Sequence, residues 1–254
     1  MALTVVFIVG VVLLVTILPL GAFFMRRQPE DIGLLPDGDS SEEAARQMGG
    51  TVGHGLAVQG SFTVRQAFRS RPFWVLVIVQ TLFSIALTPV LIHQVAYVQD
   101  KGFGLGMAAF IGTMVALFAA VGKVPWGMMA ERIPVRHLIS TAFILAGASL
   151  WLLVQAQSLS MLYAYSAIFG FSLGAEPVLS NIAWASYFGR DRLGSIRGFS
   201  TPLTRWTGGV SPVFAGLVYD WAGTYNLAFI LFSMAYILGG AAMLMAGVPS
   251  EPPE

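Results

Sequence analysis

Seven apolar segments divide this sequence and constrain its fold more than any other feature. They run over residues 3–25, 73–98, 105–126, 138–156, 161–187, 198–219 and 227–247. A helix of about 20 residues, rising about 1.5 Å per residue, crosses the roughly 30 Å hydrocarbon core of a bilayer. The segments therefore predict an all-α fold, a polytopic membrane helix bundle with seven transmembrane helices.

The positive charges collect on alternate sides of these segments. Twelve of the 14 Lys and Arg residues lie in the gaps 26–72, 123–137 and 189–197, the intervening gaps hold only Lys101, and Arg205 lies inside a segment. Because cytoplasmic loops are enriched in Lys and Arg, the cation-rich side is predicted to face the cytoplasm. The prediction is a multi-pass cell-membrane protein with its N-terminus outside and its C-terminus in the cytoplasm.

The composition leaves no room for a separate soluble domain. The chain is 56% hydrophobic and 11% charged, whereas soluble domains carry about 25% charged residues. Without such a domain no nucleic-acid partner is expected, and the net charge of +1 carries no information about an acidic partner. The absence of Cys excludes disulfides and thiolate metal sites. The sequence therefore predicts that the chain binds no metal or cofactor and that the lipid bilayer surrounds most of it.

Four regions follow from the spacing of the segments: a first transmembrane helix at 1–25, a cytoplasmic linker at 26–72, a six-helix bundle at 73–247 and a cytoplasmic tail at 248–254. Within the linker, Phe62, Val64 and Phe68 alternate with arginines, which predicts a short helix at the anionic inner membrane surface. A membrane protein begins more easily with its N-terminus in the cytoplasm than with its N-terminus outside. We therefore expect the given chain to begin part-way through a larger protein.

Three stretches carry a resemblance to a known family. Residues 127–136, GMMAERIPVR, resemble the G-x-x-x-D-R-x-G-R-R/K loop motif of the major facilitator superfamily, with Gly127, Glu131, Arg132 and Arg136 at motif positions. Residues 198–229 resemble the eleventh helix and outer loop of such transporters. Residues 26–38, RRQPEDIGLLPDG, resemble the central loop of monocarboxylate-type members. In the motif, Gly127 is expected to let two helices approach closely, and Glu131 and Arg132 to pair across the turn.

The resemblance implies that the chain corresponds to helix 6 plus helices 7–12, half of a twelve-helix transporter fold, and is no enzyme. Helices 1–5 would then belong to a missing N-terminal half that acts as a partner. Members of this family carry a small solute near the bilayer midplane between two halves by alternating access. No G-x-x-x-x-G-K-[ST] motif is present, so an ion gradient is the expected energy source, and a small organic anion the first candidate substrate. A non-transporting membrane scaffold or receptor-like half is the alternative.

Glu176 and Arg205 are the two charges deep inside segments, where charged residues are costly and commonly functional. At about 1.5 Å per residue they lie at nearly the same depth. Three interpretations remain open: a structural ion pair that joins two helices, an anion site in which Arg205 binds substrate, and a coupling site in which Glu176 carries a proton.

Weaker candidates are single polar residues within the segments. Cavity-lining roles are possible for Gln80, Thr81, Ser84, Asn181 and Thr204, although such residues more often bond a neighbouring helix. His93, near the outer end of its segment, is either a pH sensor or a histidine bonded to water or backbone.

Two further function classes are disfavoured. A retinal protein needs a lysine in its last helix, and residues 227–247 contain none. The enzyme alternative is an intramembrane serine protease. Gly170, Ser172 and Gly174 match the G-x-S-x-G letters of a serine hydrolase, but they lie inside a membrane segment with no later histidine to act as base. The two glycines are better interpreted as a helix-packing face.

Overall fold

The computed structural model describes residues 62–189 and 192–247, together with residues 11, 12, 15, 16 and 19. The chain divides into two compact units, Met1–Val52 and Gly53–Glu254. In the first unit the described residues are helical, and the Thr16 hydroxyl donates a hydrogen bond to the Val12 carbonyl oxygen. Most of the predicted helix at 1–25, the linker up to residue 61 and the tail at 248–254 lie outside the described residues.

The described part of the second unit consists of seven α-helices without a strand. They are α1 (Val64–Arg69), α2 (Arg71–Asp100), α3 (Leu105–Ala130), α4 (Val135–Val154), α5 (Leu159–Phe188), α6 (Leu193–Ala222) and α7 (Asn226–Leu244). The six long helices coincide with the last six predicted segments. Among the described helices, α2, α3, α4 and α7 are long and apolar enough to cross a bilayer. The predicted all-α membrane bundle is confirmed.

The helices α3 and α5 approach each other through glycines. A Cβ atom on Gly174 would lie 2.6 Å from the Ala119 carbonyl oxygen, and one on Gly122 would lie 2.8 Å from the Phe171 carbonyl oxygen. Real Cβ atoms do not come this close, so only glycine allows the two backbones to touch here. Gly170 meets α3 in the same way, at the Val115 carbonyl oxygen. The packing face predicted for Gly170 and Gly174 is present.

Extensive contacts join helices that are not consecutive in the chain. Helix α3 packs on α5, α4 packs on α7 and α5, and α2 packs on α6 and α7. The consecutive helices α5 and α6, in contrast, make little contact with each other. A short connection constrains only the helix ends, so two consecutive helices need not pack along their lengths. The separation of α5 from α6 leaves room for a cavity.

The short helix α1 packs on the bundle through its aromatic residues. The Phe62 ring is fully buried and lies 5.5 Å from the Phe188 ring, while the Phe62 N–H donates to the Phe188 carbonyl oxygen over 3.1 Å. The Phe68 ring lies 4.8 Å from Phe73 and 4.4 Å from Phe199. Phe62 and Phe68 were expected on a short helix at the inner membrane surface. In the structure Phe62 is buried and Phe68 is half-buried against helices of the bundle, with edge-to-face contacts between the rings.

Lys101 connects the α2–α3 turn to the end of α4. Its Nζ donates to the carbonyl oxygens of Val154, at 2.6 Å, and Ala156, at 3.4 Å. The last carbonyls of a helix lack intrahelical partners, and a cation there also complements the helix dipole.

We expect Lys101→Met to lower the free energy of unfolding by about 1–2 kcal/mol in thermal denaturation. Lys123→Met, which changes an exposed lysine of α3, is the control; equal losses in the two variants would contradict the prediction.

Candidate functional site

A polar cavity lies between α2, α5 and α6. Its volume is about 330 Å³, within the range of small-molecule sites. Helix α2 contributes Gln80, Phe83, Ser84, Leu87 and Thr88; α5 contributes Glu176, Pro177, Ser180 and Asn181; and α6 contributes Arg197, Thr201, Thr204 and Arg205. Of the seven residues named from the sequence for substrate, coupling or cavity-lining roles, Thr81 alone is not among these lining residues. The structure thus brings Glu176, Arg205 and four of the five cavity-lining candidates to one place.

Helical periodicity explains why these side chains share a cavity. Residues four apart lie on one face of an α-helix. The polar groups follow this spacing on each of the three helices, as Gln80–Ser84–Thr88 on α2, Glu176–Ser180 on α5 and Arg197–Thr201–Arg205 on α6. Three polar stripes therefore converge on one cavity.

Glu176 is held by an amide instead of an ion pair. The Gln80 side-chain nitrogen donates to Glu176 Oε1 over 3.0 Å and to the Ser180 hydroxyl oxygen over 2.8 Å. Arg205, which is exposed, donates no hydrogen bond to any described residue and lines the cavity opposite this group. The structural Glu176–Arg205 pair considered from the sequence is therefore absent among the described residues. The separation of α5 and α6 keeps the two charges apart.

Arg197 is the cavity residue that the sequence analysis missed. It was assigned to a cytoplasmic gap, but α6 begins at Leu193, which places Arg197 inside the helix. Its guanidinium donates a hydrogen bond to the Asn181 side-chain oxygen, and the Asn181 amide donates to the Pro177 carbonyl oxygen over 2.7 Å. Arg197 lies eight residues before Arg205, about two helical turns away on the same face of α6. This spacing could have identified Arg197 as a cavity residue from the sequence.

Sequence comparison identifies the family. The profile of the Major Facilitator Superfamily matches residues 81–254, more than half of the chain. The chain belongs to the Major Facilitator Superfamily. It is accordingly a multi-pass membrane protein of a transporter family, and membership of that family points to a non-enzymatic protein.

The similar curated proteins are monocarboxylate transporters. Monocarboxylate transporter 9 of Pongo abelii is 28% identical over 190 residues, covering 72% of this chain and 36% of the relative. Monocarboxylate transporter 12 of Homo sapiens is 27% identical over 181 residues, covering 68% and 35%. Monocarboxylate transporter 13 of Rattus norvegicus is 26% identical over 176 residues, covering 68% and 41%. The chain spans about a third of the length of these relatives, and the resemblance to monocarboxylate-type members is confirmed.

The superfamily loop motif occupies the turn between α3 and α4. Glu131 and Arg132 are exposed there and form no ion pair within the described residues, unlike the predicted pairing across the turn. The Arg136 Nε donates to His137 Nε2 over 3.2 Å. A Cβ on Gly127 would meet Val178 at 3.8 Å, an ordinary contact. The close approach expected at Gly127 occurs one and a half turns earlier, at Gly122, where the two backbones touch.

The G-x-S-x-G letters do not form a nucleophile site. The Ser172 side chain is 4% exposed, and its hydroxyl donates to the Ile168 carbonyl oxygen over 2.7 Å. The two histidines that the structure describes make other contacts, His137 with Arg136 and His93 at the opposite end of the bundle. Neither described histidine contacts Ser172, so the histidine base of a serine hydrolase is not present there among the described residues.

His93 joins α2 to α6 and to the α6–α7 connection. Its Nε2 lies 3.2 Å from the Pro212 carbonyl oxygen, which can only accept, so this nitrogen donates. Its Nδ1 lies 3.2 Å from the Tyr225 hydroxyl. Burial, Tyr219 and the nearby aspartates Asp100 and Asp220 raise the pKa of Tyr225, which keeps its proton available for Nδ1. His93 is thus bonded to backbone and to a tyrosine, as the second interpretation expected.

Proposed function

We propose that this chain supplies half of a transport path for a small organic anion, with a monocarboxylate as the first candidate. The supporting observation is the charge of the cavity, where Arg197 and Arg205 face a single carboxylate, Glu176. A planar guanidinium forms paired hydrogen bonds with a carboxylate, and an arginine without a partner favours such a ligand. The names of the relatives agree with this substrate class.

Arg205 is the proposed anion-binding residue, and Glu176 the group that couples a proton to binding. A charged Glu176 competes with a bound anion for the same arginines, because like charges in one cavity repel. Protonation of Glu176 removes this competition. Proton and anion therefore favour each other's binding, and linkage requires the effect to be reciprocal.

Transport also requires the cavity to open alternately to the two sides of the membrane. We infer that a second six-helix half covers the open side of the cavity and that the two halves rock around it. The charge pattern supports a cell-membrane orientation in which the connections after α3 and α5 face the cytoplasm. An imposed ion gradient, without ATP, drives the cycle in this proposal.

Uptake into proteoliposomes tests the function. Labelled small monocarboxylates are offered under an imposed pH gradient to this chain alone and to this chain joined to a candidate N-terminal half. Uptake by the joined protein but not by this chain alone supports the proposal that this chain holds an incomplete transport path. Uptake by the chain alone would overturn the need for a second half. Anion binding without uptake in either protein would favour the receptor-like alternative, and neither binding nor uptake would favour a scaffold.

Glu176→Gln tests the coupling. The variant keeps a polar side chain beside Gln80 but removes the negative charge. We expect its affinity for a monocarboxylate at neutral pH to rise about threefold to tenfold, because repulsion of the anion is lost. If binding is coupled to a proton on Glu176, affinity in the unmodified chain rises as the pH is lowered, and the variant is expected to lose this dependence. Equilibrium binding measured at several pH values is the assay, and an identical pH profile in the two proteins would refute the coupling role.

A further inference from the structure

Three arginines lie at the corner where α1 meets α2. Arg65 and Arg69 are four residues apart on α1 and share one face of that helix, and Arg71 begins α2. The three side chains are exposed, and none of them forms a hydrogen bond or an ion pair with any residue that the structure describes. No Asp or Glu occurs in residues 62–99, so nothing in this stretch neutralises them. We call these three arginines the basic corner.

The side of α1 opposite the arginines is fixed to the bundle. Ala67 is fully buried. The Phe68 ring packs edge-to-face on the rings of Phe73 in α2 and Phe199 in α6. A capping box fixes the first turn of α1. The basic corner is therefore held in a fixed position at this end of the bundle.

The length of α2 places its first residue among the lipid headgroups. No Asp, Glu, Lys or Arg occurs between Arg71 and Asp100, the two ends of this helix. Its 30 residues span about 45 Å at about 1.5 Å per residue. A bilayer with its headgroup regions is about 40–45 Å thick. The charged ends of α2 therefore match the two headgroup layers, and the basic corner lies in one of them.

One exposed face of α2 follows the order of groups in a phospholipid. Arg71, Trp74 and Ile78 are exposed, and their spacing places them on one side of the helix. The indole Nε1 of Trp74 donates to the Phe68 carbonyl oxygen over 2.9 Å, which ties the ring to the corner. Tryptophan favours the boundary between headgroups and hydrocarbon. From the corner inward, this face thus presents a cation, an interfacial ring and an apolar side chain.

We propose that the basic corner binds the headgroup of an anionic phospholipid in the leaflet at this end of the bundle. A guanidinium donates paired hydrogen bonds to phosphate oxygens. Clustered basic residues at the membrane surface favour anionic over zwitterionic lipids. The acyl chains then lie along Trp74 and Ile78. An acidic protein segment would satisfy the arginines but not this apolar continuation, so the face fits a lipid better.

Binding of a fluorescent phosphatidylglycerol to the full chain in neutral detergent tests the site. We expect the triple variant Arg65→Gln, Arg69→Gln, Arg71→Gln to weaken binding about 10-fold to 100-fold, because each basic residue at an anionic surface contributes roughly a factor of five. Labelled phosphatidylcholine, which is zwitterionic, is expected to bind more weakly to the unmodified chain and equally to the variant. Arg65→Gln alone is expected to lose about fivefold, and melting temperatures without lipid show that each variant folds.

The matched control removes three cations from another part of the same end of the bundle. The variant Lys123→Gln, Arg132→Gln, Arg136→Gln changes the net charge equally, in α3, the turn that follows it and α4. It is expected to bind phosphatidylglycerol as tightly as the unmodified chain. Equal losses in the two triple variants would show that overall charge, and not the basic corner, attracts the lipid.

Two other results would also overturn the lipid site. Equal affinity of the unmodified chain for phosphatidylglycerol and phosphatidylcholine would show that the headgroup charge is not recognised. If inorganic phosphate displaces the labelled lipid as effectively as unlabelled phosphatidylglycerol does, the corner binds a free phosphate instead. None of these measurements involves transport, so the lipid site stands or fails apart from the proposed function.

Discussion

Arg205→Ala is expected to weaken monocarboxylate binding about 10-fold to 100-fold. A charge-assisted hydrogen bond contributes roughly 1.5–3 kcal/mol, and about 1.4 kcal/mol corresponds to a factor of ten in affinity. Arg205 carries the largest expected effect because its guanidinium has no hydrogen-bond partner among the described residues, whereas Arg197 is already bonded to Asn181. Equilibrium binding of a labelled monocarboxylate to the purified chain measures the loss.

Two further variants separate binding from folding. Arg205→Lys keeps the charge but loses the planar fork, so an intermediate affinity is expected. Arg132→Ala removes an exposed arginine outside the cavity and should leave affinity unchanged. If Arg205→Ala binds the anion as tightly as the unmodified chain, Arg205 is no ligand. A lower melting temperature together with unchanged binding would point to a structural role.

Gly174→Ala is expected to destabilise the fold by about 1–3 kcal/mol, the usual cost of overpacking a filled interior. The added Cβ would lie 2.6 Å from the Ala119 carbonyl oxygen and 3.1 Å from Gly122 Cα. Both neighbours are backbone atoms, so no side chain can move aside to admit the methyl group. The variant must separate α3 from α5. Thermal or denaturant unfolding in detergent gives the change in stability.

Gly216→Ala is the matched control for this substitution. Gly216 also lies inside a long helix, α6, but a Cβ there meets nothing within 4 Å. Because alanine favours helix over glycine, this variant is expected to be unchanged or up to about 1 kcal/mol more stable. Equal effects at the two positions would show that helix propensity, and not the close approach of α3 and α5, determines the result.

The six long helices could be predicted from the sequence, because an apolar run long enough to cross the bilayer is a local property. Their boundaries were less accurate. Helix α6 was expected from residue 198 but begins at Leu193, so Arg197 was assigned to a loop. A hydropathy pattern ends where polar residues begin, whereas the helix continues because every backbone group in or near a membrane needs a hydrogen-bond partner. Polar residues that line a cavity at a helix end are therefore missed.

The candidate site was partly predictable. Glu176 and Arg205 stood out because charges inside apolar segments are rare, and they do line one cavity. Their direct pairing was an inference from the order of the helices, and α5 and α6 make little contact.

By itself the sequence determined the membrane class, the number and approximate positions of the described long helices and the family. Each depends on composition and spacing along the chain, which the bilayer acts on locally. Only the tertiary structure decided which helices pair, since pairing depends on where small residues let backbones touch, as at Gly122 and Gly174. That pairing separates α5 from α6, bonds Glu176 to Gln80 and leaves Arg205 facing a cavity large enough for a small anion.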